Sequence, residues 1–401
     1  MPTSIPAIRI AAYTATSAVG AGKAAMLSAA TEHRGGLRAN DFGAEPLRTF
    51  IGRVEGAETA LPKSIARWDC RNNRIAWLGL CADGFRDAVA MARERYGSSR
   101  VAVVMGTSTS SIGATEDAYR MLDADGNFPA HLQSRLVHTP HSLGNFVQDA
   151  LDLGGPCLTV STACSSSAKV FAVAERMLRV GLIDAAVVGG VDSLCGSVLF
   201  GFNSLQLVSA QVCRPFDVRR NGINLGEAAG FALLERADRF GAKEDLHLIG
   251  YGESSDAHHM STPHPEGAGA ERALDDALAR AGTSPDVVDY INLHGTATVK
   301  NDEIEARLVK RRFGPRTHAS SIKGFTGHTL GAAGIVGAAF SLLALETGVM
   351  PGTLNAEELD AACGPQIRLR PVTSNVRVAL SHSFGFGGTN CVLVFSRKEF
   401  R

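Results

Sequence analysis

The chain has 401 residues, 45% of them hydrophobic, enough apolar surface for a large core and for two domains or two fused halves. Lysine plus arginine equals aspartate plus glutamate at 40 each, so the formal net charge is zero and no global basic field favours nucleic acid or an anionic membrane. The eight cysteines (Cys70, Cys81, Cys157, Cys164, Cys195, Cys213, Cys363 and Cys391) include no CxxC pair and read mostly as buried small side chains in a reducing compartment.

The opening stretch, MPTSIPAIRIAAYTATSAVG, has no basic segment ahead of a continuous apolar one, and Arg9 interrupts it. A secretory signal is therefore not expected. No uninterrupted apolar span of roughly 18 residues is apparent, which disfavours membrane insertion and points to a cytoplasmic enzyme. IRIAAYTAT reads as a first strand, and residues 31–74 as loops and short helices. RVAVVMGTSTSSIG (100–113) is an apolar strand entering a small-residue loop; it has neither GxxxxGK nor GxGxxG, which excludes the usual nucleotide loops.

PCLTVSTAC (156–164) predicts another buried strand, and KVFAVAERMLRVGLI (169–183) an amphipathic helix after it. DAAVVGGVDSL (184–194) and GEAAGFALLERAD (226–238) read as further apolar strands or turns. A second half begins near 240, giving an N-terminal half over 1–240 and a C-terminal half over 241–401. There, HLIGYGESSDAHH (247–259) predicts strand then loop, and EGAGAERALDDALARAG (266–282) a helix. DVVDYINLHGT (286–296) is a strand that delivers His294, and NDEIEARLVKRRFG (301–314) a charged helix. GAAGIVGAAFSLLALETG (331–348) is an apolar small-residue helix suited to the interior, and RVALSHSFGFGGTNCVLVF (377–395) is strand, glycine turn, strand. Alternating strands and helices favour an α/β fold with covered sheets. No short repeat is visible, though a duplicated α/β unit fits the pattern.

The reactive residues follow strands, where α/β folds commonly place sites. Cys164 sits in VSTACSSS at a strand-to-helix junction, where helix N–H groups favour a thiolate. NLHGTAT carries His294, and SIKGFTGHTLGAAG carries Lys323 and His328. A thiol, two imidazoles and a lysine among glycines and hydroxyls suggest covalent acyl chemistry. Ser165, Ser166 and Ser167 lack a GxSxG setting and are expected to satisfy the first helical turn.

VSTACSSS, CRPFD, NLHGTAT, SIKGFTGHTLGAAG and SFGFGGTN together resemble, over essentially the whole chain, the condensing enzymes of the thiolase superfamily. The pattern is most similar to β-ketoacyl-acyl-carrier-protein synthases of the elongating type I/II class, with an aryl-polyene or other specialised branch in view. The resemblance implies a thiolase-like five-layer αβαβα fold of two related halves. It implies a dimer, homodimeric or paired with a chain-length-factor-like subunit, that lines the acyl tunnel together. It also implies Cys164 as nucleophile, His294 and His328 as donors to an enolate oxygen, and Lys323 as the orienting charge with Glu305 as acidic partner. The Phe386 N–H would complete an oxyanion hole with that of Cys164, with Phe384, Gly385, Gly387 and Gly388 shaping the gate loop. Thr296 and Thr298 would meet the carrier arm. Thr109 and Ser110, within the loop 107–111, and Phe200 and Phe202 would border the acyl pocket. Lys63, Arg67, Arg71 and Arg74 would form one helix side that meets an acidic acyl carrier protein. No metal or resident cofactor is expected, since the carrier brings its own phosphopantetheine.

Where the family commonly has CRPFDxxRDGFVxGEGAG, this chain has CRPFDVRRNGINLGEAAG. Asn221 replaces an acid, Ile223 an aromatic and Ala228 a glycine, at what the resemblance makes a structural loop away from the reaction centre. Gly337 stands where relatives commonly carry a glutamate near the lysine, and Val299, Lys300 and Asn301 replace a proline-alanine-glycine stretch. A specialised ketosynthase fits these departures. The alternatives are a chain-length-factor-like subunit, which would typically lose the nucleophile, a heterodimeric ketosynthase subunit, and a degradative thiolase, for which Cys391 would be the second cysteine.

Overall fold

The computed structural model describes residues 4–43, 46–236 and 245–397. The first half supplies β1 (Ile8–Ser17), β2 (Val101–Gly106), β3 (Cys157–Val160), β4 (Ala185–Asp192) and β5 (Ala228–Arg236). The second supplies β6 (His247–Ser255), β7 (Tyr290–Asn292), β8 (His318–Ser320), β9 (Val378–Gly385) and β10 (Thr389–Ser396). Around them lie α1 (Gly22–Glu32), α2 (Arg71–Leu80), α3 (Phe85–Tyr96), α4 (Ile112–Arg120), α5 (Ser142–Ala150) and α6 (Ser166–Arg179). They are followed by α7 (Gly196–Ser204), α8 (Ala268–Ala281), α9 (Val299–Arg312), α10 (Lys323–Thr326) and α11 (Ala333–Thr347).

The strand order exposes a duplication. It runs β3-β2-β4-β5-β1 through the first half and β8-β7-β9-β10-β6 through the second. Counted within its own half, each order is third, second, fourth, fifth, first. In both, the outer three strands are parallel and the fifth runs antiparallel to its two neighbours. The halves join through a short antiparallel contact of β1 with β6, Ile8 opposite Leu248 and Arg9 opposite His247. The expected boundary at 240/241 lies outside the described residues.

Three apolar clusters separate the layers. One packs α2, α3 and α5 on the outer face of the first sheet, and another packs α8 and α9 on the outer face of the second. The third holds α6 and α11 between the sheets. The result is the five-layer αβαβα arrangement. The sequence explains the placements. β4 reads AAVVGGVD and is buried at every position, as a strand covered on both faces should be. In α8, Ala270, Ala273, Leu274, Ala277, Leu278 and Ala281 recur at helical spacing and form its buried stripe. α11 is buried all round from Ala333 to Leu345, the signature of a helix inside the core.

Two expectations change here. Leu330–Thr347 is in fact helical, long enough and apolar enough to cross a membrane, but 89% of it is buried at the centre of the protein. Lys63–Trp68 forms a 3-10 turn that ends at Asp69, and α2 starts afresh at Arg71, so Lys63, Arg67, Arg71 and Arg74 do not share one helix.

α6 and α11 approach closely because small residues meet: a Cβ built on Gly334 would lie 2.4 Å from the Ala168 nitrogen. Gly334→Ala should push the two helices apart and lower stability by about 1–3 kcal/mol, the usual range for overpacking. Denaturant unfolding of the variant beside the parent measures it; an unchanged midpoint would mean that the central layer accommodates the methyl.

Candidate active site

The nucleophile candidate stands at a forced turn. β3 ends at Val160, and α6 begins at Ser166. Ala163, just before Cys164, has φ of 52°, left-handed backbone that costs an L-residue roughly 1–2 kcal/mol. That turn places Cys164 beside the first turn of α6, with its own N–H and that of Phe386 directed at Sγ. The serines do not satisfy the first turn of α6 as expected: that helix start has no side-chain cap hydrogen bond, and the three hydroxyls instead tie the turn to neighbouring segments. Ser166 Oγ accepts from the Thr162 N–H at 2.9 Å, Ser165 Oγ lies 2.8 Å from Thr389 Oγ1, and Ser167 Oγ accepts from the Ile335 N–H at 2.9 Å. Gly385 passes so near this turn that a Cβ would lie 2.9 Å from the Thr162 oxygen.

The second half supplies the imidazoles. His328 Nε2 lies 3.1 Å from Cys164 Sγ. The Leu330 N–H donates to His328 Nδ1 at 3.1 Å. A backbone N–H can only donate, so the ring proton sits on Nε2 and points at sulfur. The His294 ring stands at 87° to His328 with centroids 5.5 Å apart. Sγ and one nitrogen of each ring lie within 4.8 Å of one another. Lys323 Nζ donates to the His294 carbonyl at 2.6 Å. Glu305, on the inner face of α9, accepts the His294 N–H at 2.8 Å and the Gly295 N–H at 2.7 Å.

All five side chains are buried, so the electrostatics are those of a dry site. Burial first, then the Lys323 charge, holds both imidazoles well below their ordinary range, and they are neutral at pH 7. Burial also lowers the Lys323 ammonium, against the support of Glu305. Burial pushes the Cys164 thiol up to about 11, opposed by Lys323 and the Phe386 N–H. The resting site thus holds a thiol and two neutral imidazoles.

A cavity of about 390 Å³ opens onto this cluster. Cys164, His294, His328, Thr296, Thr298, Phe202, Phe384, Gly385 and Phe386 line it. Thr296 Oγ1 and Thr298 Oγ1 are 2.8 Å apart, and Phe202 packs on Phe386 with centroids 5.6 Å apart. Gly387, at φ of 79°, donates its N–H to the Met260 carbonyl at 2.6 Å and so ties the gate turn to the 256–264 loop.

Other expected residues fall elsewhere. Thr109 and Ser110 are not among the cavity lining: the Thr109 N–H and hydroxyl turn inward to Asp192 Oδ1 at 2.8 and 2.6 Å, and the Ser110 N–H is taken by Thr107 Oγ1 at 2.8 Å. Phe200 is half exposed on α7 and also outside the lining. The basic group is largely neutralised. Arg67 pairs with Asp149 at 2.6 Å, Arg74 with Asp69 at 2.5 Å, and Arg71 clamps the buried Glu227 at 2.6 Å, while Lys63 is exposed. Those arginines hold loops to the fold rather than presenting free charge. The substituted Asn221 and Ile223, read as lying away from the reaction centre, line the cavity with Cys164.

Sequence reasoning missed four polar residues. Asp302, three positions before Glu305 on the same face of α9, accepts the N–H groups of Thr296 and Phe216 at 2.9 and 2.7 Å; burial pushes its carboxyl up to about 6. Asp256 accepts from Asn390 Nδ2 at 2.8 Å and from the His264 N–H at 3.0 Å, which joins two cavity-lining loops. His382 Nδ1 lies 3.0 Å from Glu305 Oε1. Helical spacing pointed to Asp302; strand alternation placed His382 on the face of Phe384.

The β-ketoacyl synthase N-terminal domain model matches residues 77–239, and the C-terminal domain model matches 247–357. The chain is 40% identical over 262 residues to the mitochondrial 3-oxoacyl-[acyl-carrier-protein] synthase of Arabidopsis thaliana, covering 60% of this chain and 56% of that protein. It therefore spans little more than half the length of that relative. It is 35% identical over 306 residues to nodulation protein E of Rhizobium meliloti (strain 1021), covering 74% of this chain and 76% of that one. Among solved structures, it matches the ketosynthase (ApeO) in complex with its chain length factor (ApeC) from Xenorhabdus doucetiae, at TM-score 0.88 and 33% identity over 98% of both chains. With both domain models matched in order along one duplicated fold, the chain belongs to the β-ketoacyl synthase family of condensing enzymes.

Proposed function

We propose that the protein extends an acyl chain by decarboxylative Claisen condensation with malonyl-acyl carrier protein. The observation that carries this reading is the His328 Nε2–H held 3.1 Å from Cys164 Sγ beside a second neutral imidazole. In the first step the Cys164 sulfur attacks an acyl thioester. The S–C bond to Cys164 forms, the bond to the carrier's phosphopantetheine sulfur breaks, and the thiol proton passes to that leaving sulfur. The N–H groups of Cys164 and Phe386 face the oxyanion of this step.

In the second step malonyl-carrier loses carbon dioxide. The enolate oxygen takes hydrogen bonds from His328 Nε2–H and from the His294 ring. The enolate carbon then attacks the acyl-cysteine carbonyl and expels the Cys164 sulfur as thiolate, leaving a β-ketoacyl-carrier two carbons longer; one proton from solvent restores the Cys164 thiol. Neutral imidazoles suit donation, and burial, with the Lys323 charge second, keeps them neutral. In this reading no metal takes part, and the Leu330 N–H supports it by leaving His328 Nε2 with a proton where a metal ligand needs a lone pair. Asn221 and Ile223 in the cavity support a specialised primer over a housekeeping one.

The alternatives are weaker. Cys391, the second cysteine of a thiolase reading, is wholly buried within β10 and outside the cavity lining. A chain-length-factor-like role has no use for the retained Cys164.

We further propose a partner subunit of the same fold along β3. Among the described residues β3 pairs with β2 alone, so its outer edge is open, and Leu158 on it is exposed. Ile112, Tyr119, Met121, Leu122 and Leu136, on α4 and the segments after it, are exposed large apolar side chains. The matched ketosynthase was solved with its chain length factor.

Intact-mass spectrometry of the purified protein with saturated, polyunsaturated and aryl acyl-carriers tests the reaction. Acyl mass should appear on the parent and not on Cys164→Ala, and malonyl-carrier should then release a product longer by two carbons. Loading that survives Cys164→Ala would overturn the assignment of the nucleophile. For the partner, Leu158→Asp should convert the assembly to monomers in light scattering; an unchanged mass would move the interface elsewhere.

A further inference from the structure

β9 carries a side chain that the reaction above leaves unused. Successive strand residues face opposite ways, so His382 and Phe384 share one face and Ser381 and Ser383 the other. His382 is 2% exposed. Its Nδ1 meets Glu305 Oε1 at 3.0 Å, and its ring lies 5.3 Å from that of Phe384. Phe384 in turn stands 5.9 Å from His294. A carboxylate can only accept, so His382 Nδ1 carries a proton and donates it. Nε2 is buried and without a partner among the described residues.

Glu305 is the joint of this arrangement. Its two oxygens take the His294 and Gly295 N–H groups as well as His382, so one carboxylate ties α9, the His294 loop and β9 together. Lys323 grips the other side of the same residue through the His294 carbonyl. Position 337 on α11 adds no second carboxylate, and it has no room for one: a Cβ on Gly337 would lie 2.5 Å from Asn292 Nδ2. Glu305 therefore leads the groups that favour the buried ammonium, ahead of Cys164 and Asp302. Small displacements of Glu305 would move His294 and its charge environment together, while Cys164 and His328 are held by α6 and the Leu330 N–H.

We infer that His382 is a positioning residue for the malonyl half of the reaction: its Nδ1–H fixes Glu305, and through Glu305 the backbone of His294. The inference rests on the condensation proposed above. It separates two half-reactions, acyl loading of Cys164, which does not use His294, and malonyl-carrier decarboxylation, which does. It also separates two properties of the imidazole. His382→Asn keeps an N–H donor near the Nδ1 position and loses the ring; His382→Phe keeps a ring against Phe384 and loses the donor.

The test measures both half-reactions on the full chain, acyl loading by intact mass and carbon dioxide release from malonyl-carrier. His382→Phe should slow decarboxylation about 10-fold or more and leave loading within about 2-fold of the parent. His382→Asn should stay within about 3-fold of the parent in both. His382→Leu, smaller and equally donorless, carries the same expectation as His382→Phe if the larger ring fails to fold. Equal losses in both half-reactions, no loss in either, or an Asn variant as slow as the donorless ones would overturn the inference. A parent protein that neither loads nor decarboxylates would instead sink the reading of function on which it rests.

Discussion

Everything at the site depends on two helix starts pressed against one another. α6 follows the third strand of the first half, and α11 follows the third strand of the second. Cys164 precedes the one and His328 the other, so the duplication brings thiol and imidazole to equivalent places in their halves. The contact of Gly334 with Ala168 lets those places converge. Without small residues at that crossing the sheets would stand farther apart, and the 3.1 Å sulfur–nitrogen approach could not form.

That convergence is made in a dry interior, which decides the protonation states. Two imidazoles taken out of water beside an ammonium shed their protons more readily than free histidine does. The site then presents neutral rings rather than preformed positive charge. The ammonium needs compensation, and the main support comes from Glu305, whose oxygens are filled by N–H groups. Local geometry adds direction: the Leu330 N–H sets which nitrogen of His328 carries hydrogen, and the left-handed turn at Ala163 sets where the sulfur stands. Each is a backbone feature that serves one side-chain atom.

The cavity is built differently. Its walls come from loops of both halves, and within the second half these loops are bonded to each other through Gly387 with Met260 and Asp256 with Asn390. Loops joined by a few hydrogen bonds over small and glycine-rich segments can part together, while strands and helices beneath hold the reacting atoms. Asn221, Ile223, Val299, Lys300 and Asn301 on that wall are among the places where this chain departs from its family's common pattern, while Ala228 and Gly337 depart in the buried interior.

Much of this was legible in the sequence, and for a physical reason. Alternating apolar runs and helical stripes reflect burial of each element on known faces, and strands at 101–106, 157–160, 185–192 and 378–385 fall inside the runs 100–113, 156–164, 184–194 and 377–395 read from that pattern, although 157–160, expected to be buried, is an edge strand that leaves Leu158 exposed. Glycines and hydroxyls around Cys164, His294, Lys323 and His328 marked turns close to a reacting centre, and those four side chains do converge. Tertiary structure alone decided what depends on partners distant in the chain. Arg67, Arg71 and Arg74 read as free charge until Asp149, Glu227 and Asp69 are seen to take them. Thr109 read as pocket lining until Asp192 is seen to draw the loop inward. His382 lay unread inside SHSFGFGG, because only the packing of α9 on β9 brings Glu305 to it. Periodicity records which face of an element is buried; it carries no record of which charge waits on the other side.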